Sequence, residues 1–320
     1  MDPILTHRQG VFPRALPTPE GGRENRFVWV KVGMDWPFFA LASECIVDVL
    51  PQSGSQCFPF FTYNEDGTNR RENITDWALA EFRKHYEDET ITKWDIFYYV
   101  YGVLHHPVYR EKFAENLKRE LPRIPFIGGG NKGGVSTPPE VRPLTRPSDT
   151  LSPEHGGEGR GEGVGASRAA GLKPRPSLEL SGASAPFWAV SRIGKELADL
   201  HINYEKLEQY PLEWLENRSV PLSYRVEDKM RLSKDKRSLK VNESLTLGGI
   251  PPGTFEYRLG NRSALEWVID QYQVTEHNGI RSDPNREDDP EYIVRLVGQV
   301  VRVSLETVRL VASLPPLADA

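Results

Sequence analysis

The chain has 320 residues, 38% of them hydrophobic, with a formal net charge of −5 at pH 7 and a mean hydropathy of −0.51. That length accommodates about two domains. The acidic balance excludes a histone-like polycation but leaves nucleic-acid contact open, because phosphate binding depends on local Lys/Arg density rather than on the total.

Residues 1–26 are proline-containing, poor in clustered apolar positions, and read as a tail. They lack a basic segment followed by an apolar run, so no signal peptide is expected. No stretch reaches the length of a membrane span, and a soluble, cytoplasmic protein is expected. FVWVKVG from Phe27 is strand-like, as is the aromatic run from Phe58 to Tyr63, and QSGSQ from Gln52 to Gln56 reads as a polar turn between apolar blocks. Thr75 is a plausible N-cap for a helix over 73–86. The run 91–106 is apolar on nearly every side, as befits a central core helix, so Trp94, Tyr98 and Tyr101 are expected in the core. His105 and His106, at its end, are expected to be structural. Pro107 suits the first turn of the next helix, where Tyr109, Phe113, Leu117 and Leu121 recur every four residues.

From 128 to 184 the composition turns to Gly, Pro, Ser and charge, which predicts a disordered insertion between two lobes, 27–127 and 185–315. Beyond it, Ile193, Leu197, Leu200 and Tyr204 mark a helix. Residues 235–259 read as short strands with turns at Asn242–Glu243 and Gly248–Gly253. Ser263 and Glu266 form a capping box, and Asp289-Pro290 opens a long last helix. The predicted fold class is mixed α/β (α+β), helix-rich and two-lobed.

Reaction chemistry is conspicuously missing from the motifs. The sequence has no phosphate-binding P-loop and no Gly-rich dinucleotide turn after a strand. Thr137-Pro138-Pro139-Glu140 and Ile250-Pro251-Pro252-Gly253 lack the aromatic that an amino-group DNA methyltransferase stacks on a flipped base. Cys45 and Cys57 have no second Cys or His pair nearby, too few ligands for structural zinc. Acidic clusters at 226–230 and 287–289 read as surface charge and a helix start. Neither a catalytic residue nor a metal site is expected.

Several long blocks resemble the C-terminal specificity region of type ISP restriction–modification enzymes. They are CFPFFTYNEDG, ITDWALAEFRKHY, the stretch from Ile91 to Phe126, GKELADLHINYE, GIPPGTFEYRLGNRSALEWVIDQYQV, and PEYIVRLVGQVVRVSLETVRLVASLP. The Y-x-Y-G-x-L-H-x-P-x-Y-R pattern from Tyr99 to Arg110 is also similar to that of single-chain methyltransferase–nucleases. The resemblance implies recognition of an asymmetric site in double-stranded DNA. It also implies that S-adenosylmethionine, ATP and magnesium are cofactors of other parts, none being held by this chain. Those parts would reside on a separate helicase–methyltransferase subunit if the chain is one half of a split enzyme. Two alternatives stand beside this reading: a portion of an adenine-specific (N6) DNA methyltransferase, and an inactive or purely structural remnant.

Base readout needs amides and forked donors on projecting segments, with Lys/Arg on phosphates. Three segments fit. The first is the Gln52, Ser53, Ser55, Gln56 turn, which also reads as an ordinary polar turn. The second is Asn69-Arg70-Arg71, otherwise a solvated loop. The third is Arg225 to Lys240, whose seven Lys/Arg against three acids make it the densest basic stretch; from it Arg225, Lys229, Arg231, Lys234, Lys236 and Arg237 are singled out.

Overall fold

The computed structural model describes residues 25–31, 37–45, 55–64, 66–128 and 182–317. All but the margins of the expected tail and of the expected insertion lie outside these residues, as do Gln52 and Ser53.

Strand β1 (Phe27–Lys31) is the centre of an antiparallel sheet, between β2 (Phe39–Ser43) and β3 (Ser55–Pro59). Alternation divides its faces. Val28, Val30, Ala40 and Ala42 enter the first hydrophobic core, while Trp29, Lys31, Phe39 and Leu41 turn the other way and line a cleft. Ser55 and Gln56, expected in a polar turn, belong to β3. Ser55 pairs in register with Lys31 and is 6% exposed, whereas Gln56 pairs with Val30 and is exposed. Cross-strand pairing with the apolar β1 overrides the local turn composition.

A small hairpin follows, β4 (Phe61–Thr62) with β5 (Arg71–Glu72). Helix α1 (Asp76–Tyr86) starts at Thr75, whose hydroxyl accepts from the Ala78 N–H at 3.1 Å. Helix α2 (Lys93–His105) carries a capping box from Thr92 to Asp95, and Tyr98 and Tyr101 are buried in the core as their spacing implied. Pro107 opens α3 (Pro107–Lys112). The four-residue stripe predicted one helix through Leu121, but the helix breaks at Phe113 and resumes as the short α4 (Ala114–Leu117), and Leu121 is 40% exposed. The chain turns back because tyrosines fasten the segment that follows: Tyr109 donates to the Arg123 carbonyl and Tyr99 to the Pro125 carbonyl, each at 2.8 Å. His105 and His106 are buried. Their ring nitrogens meet the carbonyls of Tyr101 and Pro315, the structural role expected of them.

Helix α5 (Ala185–Ile202) lies beyond the insertion in sequence, yet Phe187, Val190, Ile193 and Leu197 complete the first core. It ends at Ile202, and Tyr204 sits in a 3-10 turn. Its closeness to α2 depends on two glycines. A Cβ on Gly194 would stand 1.9 Å from the Tyr98 carbonyl oxygen, and one on Gly102 would stand 2.7 Å from that of Val190.

The second core is built on a four-stranded antiparallel sheet of order β6-β9-β8-β7, comprising β6 (Glu213–Glu216), β7 (Arg231–Leu232), β8 (Leu239–Lys240) and β9 (Leu245–Gly248). A hairpin of β10 (Arg258–Leu259) and β11 (Arg262–Ser263) leads into α6 (Ala264–Gln271), capped by the Ser263–Glu266 box. The hairpin of β12 (Thr275–His277) and β13 (Ile280–Ser282) precedes α7 (Tyr292–Ala312). Ile293, Leu296, Val297, Val300 and Val303 of α7 fill this core, and Leu310 reaches the first.

One buried hydrogen-bonded chain connects the lobes. The Ala42 N–H donates to the Tyr101 hydroxyl at 2.9 Å, Tyr101 meets His201 Nδ1 at 2.6 Å, and His201 Nε2 meets Thr307 Oγ1 at 2.9 Å. Both His201 ring nitrogens are thus engaged by hydroxyls, and burial keeps the imidazole neutral. Burial, reinforced by the Arg110 guanidinium, holds the His201 pKa at about 3. Burial, Arg110 and His201 together push His105 well below its ordinary value.

Two outcomes follow from this packing. Gly194→Ala is expected to destabilise the fold by about 3 kcal/mol or more, because the obstacle is helix backbone rather than a movable side chain; urea unfolding of the variant beside the parent measures it. Stability should also fall with acid. The two histidines are neutral in the folded state and take up protons on unfolding below about pH 6.5. Between pH 6.5 and 5 the unfolded chain therefore binds more protons, and each histidine costs about 2 kcal/mol. In His201→Gln the decline over that window should be about half as steep, as read from urea midpoints at half-unit pH steps.

Candidate nucleic-acid interface

The three basic or polar segments singled out from the sequence do not converge on one place. On the β4–β5 hairpin of the first lobe, Asn69 has a φ of 54°, the Arg70 guanidinium lies 4.6 Å from the Phe61 ring centre, and Arg71 donates to Asn64 Oδ1 at 3.0 Å. All three are exposed. Gln56 is exposed on β3, and Ser55 is enclosed beside Lys31.

The basic stretch 225–240 divides into two sets. In the first, every cation is clasped by acids. Arg225 bridges Glu227 and Asp283, Lys229 pairs with Asp270, and Lys236 pairs with Glu266 at 2.9 Å. Hydrogen bonds from Asn285, then Arg225, hold the Asp283 carboxyl at about 2. Burial would raise Glu266, but the Ser263 N–H, Lys236 and the Ser263 hydroxyl outweigh it and keep the group at about 2. These acids hold the segment before β7 through Arg225 and Lys229, and the β7–β8 turn through Lys236.

The second set is Arg231, Lys234, Arg237 and Lys240. All four are exposed, and they form no ion pair among the described residues. Arg231 and Lys240 face each other in register across β7 and β8. Like charges opposed in this way are destabilising for a sheet standing alone. The outward row continues through Thr246 of β9 to Leu215 of β6, 52% exposed, while Leu239 and Leu247 on the opposite face are fully buried.

The turn between β7 and β8 holds Lys234 and Arg237 in a defined shape. Ser233 N–H donates to the Ser238 carbonyl at 2.9 Å, Ser233 Oγ donates to Asp235 at 2.6 Å, and Lys236 takes a left-handed φ of 58°. The Arg237 carbonyl accepts from Ile250 N–H at 3.0 Å, which ties the tip to the second core. A rigid hairpin carrying four solvent-facing cations can span consecutive phosphates, and the polar atoms of its turn lie between them. Lys240 was not singled out from the sequence. The signal was there, since a basic residue two positions on either side of a Ser-x-x-x-x-Ser turn places two cations opposite one another.

Among the described residues no group of three or more His, Cys, Asp or Glu side chains is placed to hold a metal, and no helix is long and apolar enough to cross a membrane. Cys45 and Cys57 form no disulfide among the described residues.

No curated protein sequence matches the chain. Three solved structures are similar to it over 96% of its length. They are a nuclease-deletion mutant of the type ISP restriction–modification enzyme LlaGI in complex with a DNA substrate mimic (29% identity, TM-score 0.64), a DrdV–DNA complex (30%, 0.67), and the ATP-dependent type ISP restriction–modification enzyme LlaBIII bound to DNA (26%, 0.68). The chain spans only 22%, 26% and 17% of those three chains. The sequence profile of the type ISP C-terminal specificity domain matches residues 1–131 and 173–296. The chain therefore belongs to the type ISP C-terminal specificity domain family.

Proposed function

We propose that this chain reads a DNA target for a type ISP restriction–modification system, gripping the duplex through the β7–β8 hairpin. The observation that carries the reading is the cross-strand pair of Arg231 and Lys240, flanked by Lys234 and Arg237 on a turn held rigid. A like-charge pair that costs stability in the free protein is repaid when a polyanion lies across it. The three similar structures, each solved with DNA, support the same ligand.

In this reading the hairpin sets register on the phosphates, and Asn69, Arg70, Arg71 and Gln56 of the first lobe are the candidates for further contacts. Arg225 and Lys229 hold the hairpin in place from its base, and Lys236 from its turn. Methyl transfer, ATP-driven translocation and cleavage, with S-adenosylmethionine, ATP and magnesium, belong to polypeptide outside this chain. A helicase–methyltransferase subunit is the expected partner, in the cytoplasm.

Duplex binding measured by fluorescence anisotropy over a salt series tests the reading. Each phosphate contact contributes about 0.9 to the slope of log affinity against log salt, so replacing Arg231, Lys234, Arg237 and Lys240 with Ala should reduce the slope by up to about 3.6. The same variant should melt no lower than the parent, because the mutual repulsion of Arg231 and Lys240 is gone. Unchanged affinity and slope would remove the hairpin from the interface. Calorimetric titration with S-adenosylmethionine should give no binding to the purified chain; micromolar binding would instead make it part of a methyltransferase.

A further inference from the structure

A cleft of about 500 Å³ separates the two lobes, within the roughly 300–1,000 Å³ of pockets that enclose small organic ligands. One wall is the outward face of the first sheet, with Trp29 and Phe39 packed edge to face at 5.2 Å. The other comes from the β10–β11 turn and α6, with Trp267, Asn261, Arg262 and Gln271.

Three features indicate what the cleft suits. The walls are aromatic on both sides. The Trp267 indole N–H donates to the Leu259 carbonyl at 2.9 Å, which pins that ring against the β10–β11 turn. Asn261 and Gln271, exposed at the mouth, bring side-chain amides that present a donor and an acceptor together, the pattern that pairs with base edges.

The surroundings place an ion-paired guanidinium on the aromatic wall and the basic hairpin beside it. Arg262 lies 5.1 Å from the Trp267 ring centre and shares Asp270 with Lys229, so its cation is held at the cleft. The basic hairpin adjoins the same helix, through Lys236 on Glu266. A strand followed by the hairpin cations therefore has an aromatic-walled recess beside it.

We propose that this interlobe cleft takes an unstacked nucleobase, with Trp29, Phe39 and Trp267 enclosing the ring and Asn261 and Gln271 meeting its edge. The proposal rests on the nucleic-acid reading above and adds to it a site for a base outside the helical stack. The same chemistry would suit a free nucleotide, and the test separates the two sources.

Anisotropy titrations of the full chain would compare a fully paired duplex with the same duplex carrying one bulged adenosine, alongside titration with adenosine monophosphate. The bulged duplex should bind about tenfold more tightly, the order expected from one base stacked on an aromatic side chain. That preference should vanish in Trp267→Ala. It should also vanish in the Asn261→Ala/Gln271→Ala double variant, whose exposed positions leave the fold undisturbed, while salt-dependent binding of the paired duplex persists. Saturable binding of adenosine monophosphate that the double variant abolishes would also support the site and would make a free nucleotide its ligand. Equal affinity for both duplexes without nucleotide binding would overturn the cleft assignment and leave the hairpin reading standing. A bulge preference that survives the double variant would overturn it as well. Failure of every nucleic acid to bind would remove both.

Discussion

Tyr101, His201 and Thr307 form a buried polar chain at the point where the lobes meet, and the geometry of every surface feature depends on it. Tyr101 belongs to α2 in the first core, His201 to the end of α5, and Thr307 to α7, whose other half fills the second core. A neutral imidazole sits between the two hydroxyls, accepting a hydrogen bond from one and donating its own to the other. Turning one lobe against the other would strand a buried hydroxyl and a buried ring nitrogen, at about 1–3 kcal/mol for each group left unpaired. Within the second core, Gln299 of α7 donates to the carbonyls of Glu205 and Leu207, and Tyr210 N–H donates to that of Gly298. The cleft lies between elements packed on the two cores, the first sheet on one side and α6 with the β10–β11 turn on the other.

A chain with a net charge of −5 can still offer a polyanion a favourable surface, because its acids are placed against particular cations. Glu227, Glu266, Asp270 and Asp283 neutralise Arg225, Lys229, Lys236 and Arg262 at the base of the hairpin and along α6. Such exposed pairs add little stability individually. Their effect is positional. They leave Arg231, Lys234, Arg237 and Lys240 as a local excess of positive charge, with Asp235 the acid among them, on a sheet whose inner face, Leu239 and Leu247, is closed.

Much of this fold was legible because its signals are local. The Thr75 cap, the Ser263–Glu266 box and Pro107 at a helix start each depend on a few neighbouring atoms, and the structure places them as their spacing implied. Where long-range contacts decide, the sequence misled. Phe113 interrupts a regular apolar stripe because Tyr109 reaches forward to Arg123. Ser55 reads as a turn residue and is buried in a strand because β1 pairs with it. Strand β6 has no alternation to reveal it, since all four of its residues are exposed and only β9 holds it in place. Part of the candidate site carried a local signal of its own. Gly260-Asn261, between two short strands, is a two-residue hairpin turn in which Gly260 takes a φ of 69°, and it brings Asn261 and Arg262 to the cleft. Trp29 carried none, because alternation within a fully buried strand does not tell the core face from the cleft face.

Helix α6 brings these strands of reasoning together in eight residues. Glu266 and Asp270, one turn apart, hold Lys236 and Lys229 of the hairpin segment. Trp267 and Gln271, also one turn apart, line the cleft. Leu265, Val268 and Ile269 are buried in the second core. Three functions thus occupy three faces of one helix at the four-residue spacing that stacks side chains along it. The Ser263–Glu266 box fixes the first turn, so Glu266 caps the helix and holds the hairpin at once. A shift of α6 along its axis would therefore displace the hairpin cations and the cleft wall together. The basic hairpin and the interlobe cleft are coupled through this helix, with the core face of α6 setting the position of both.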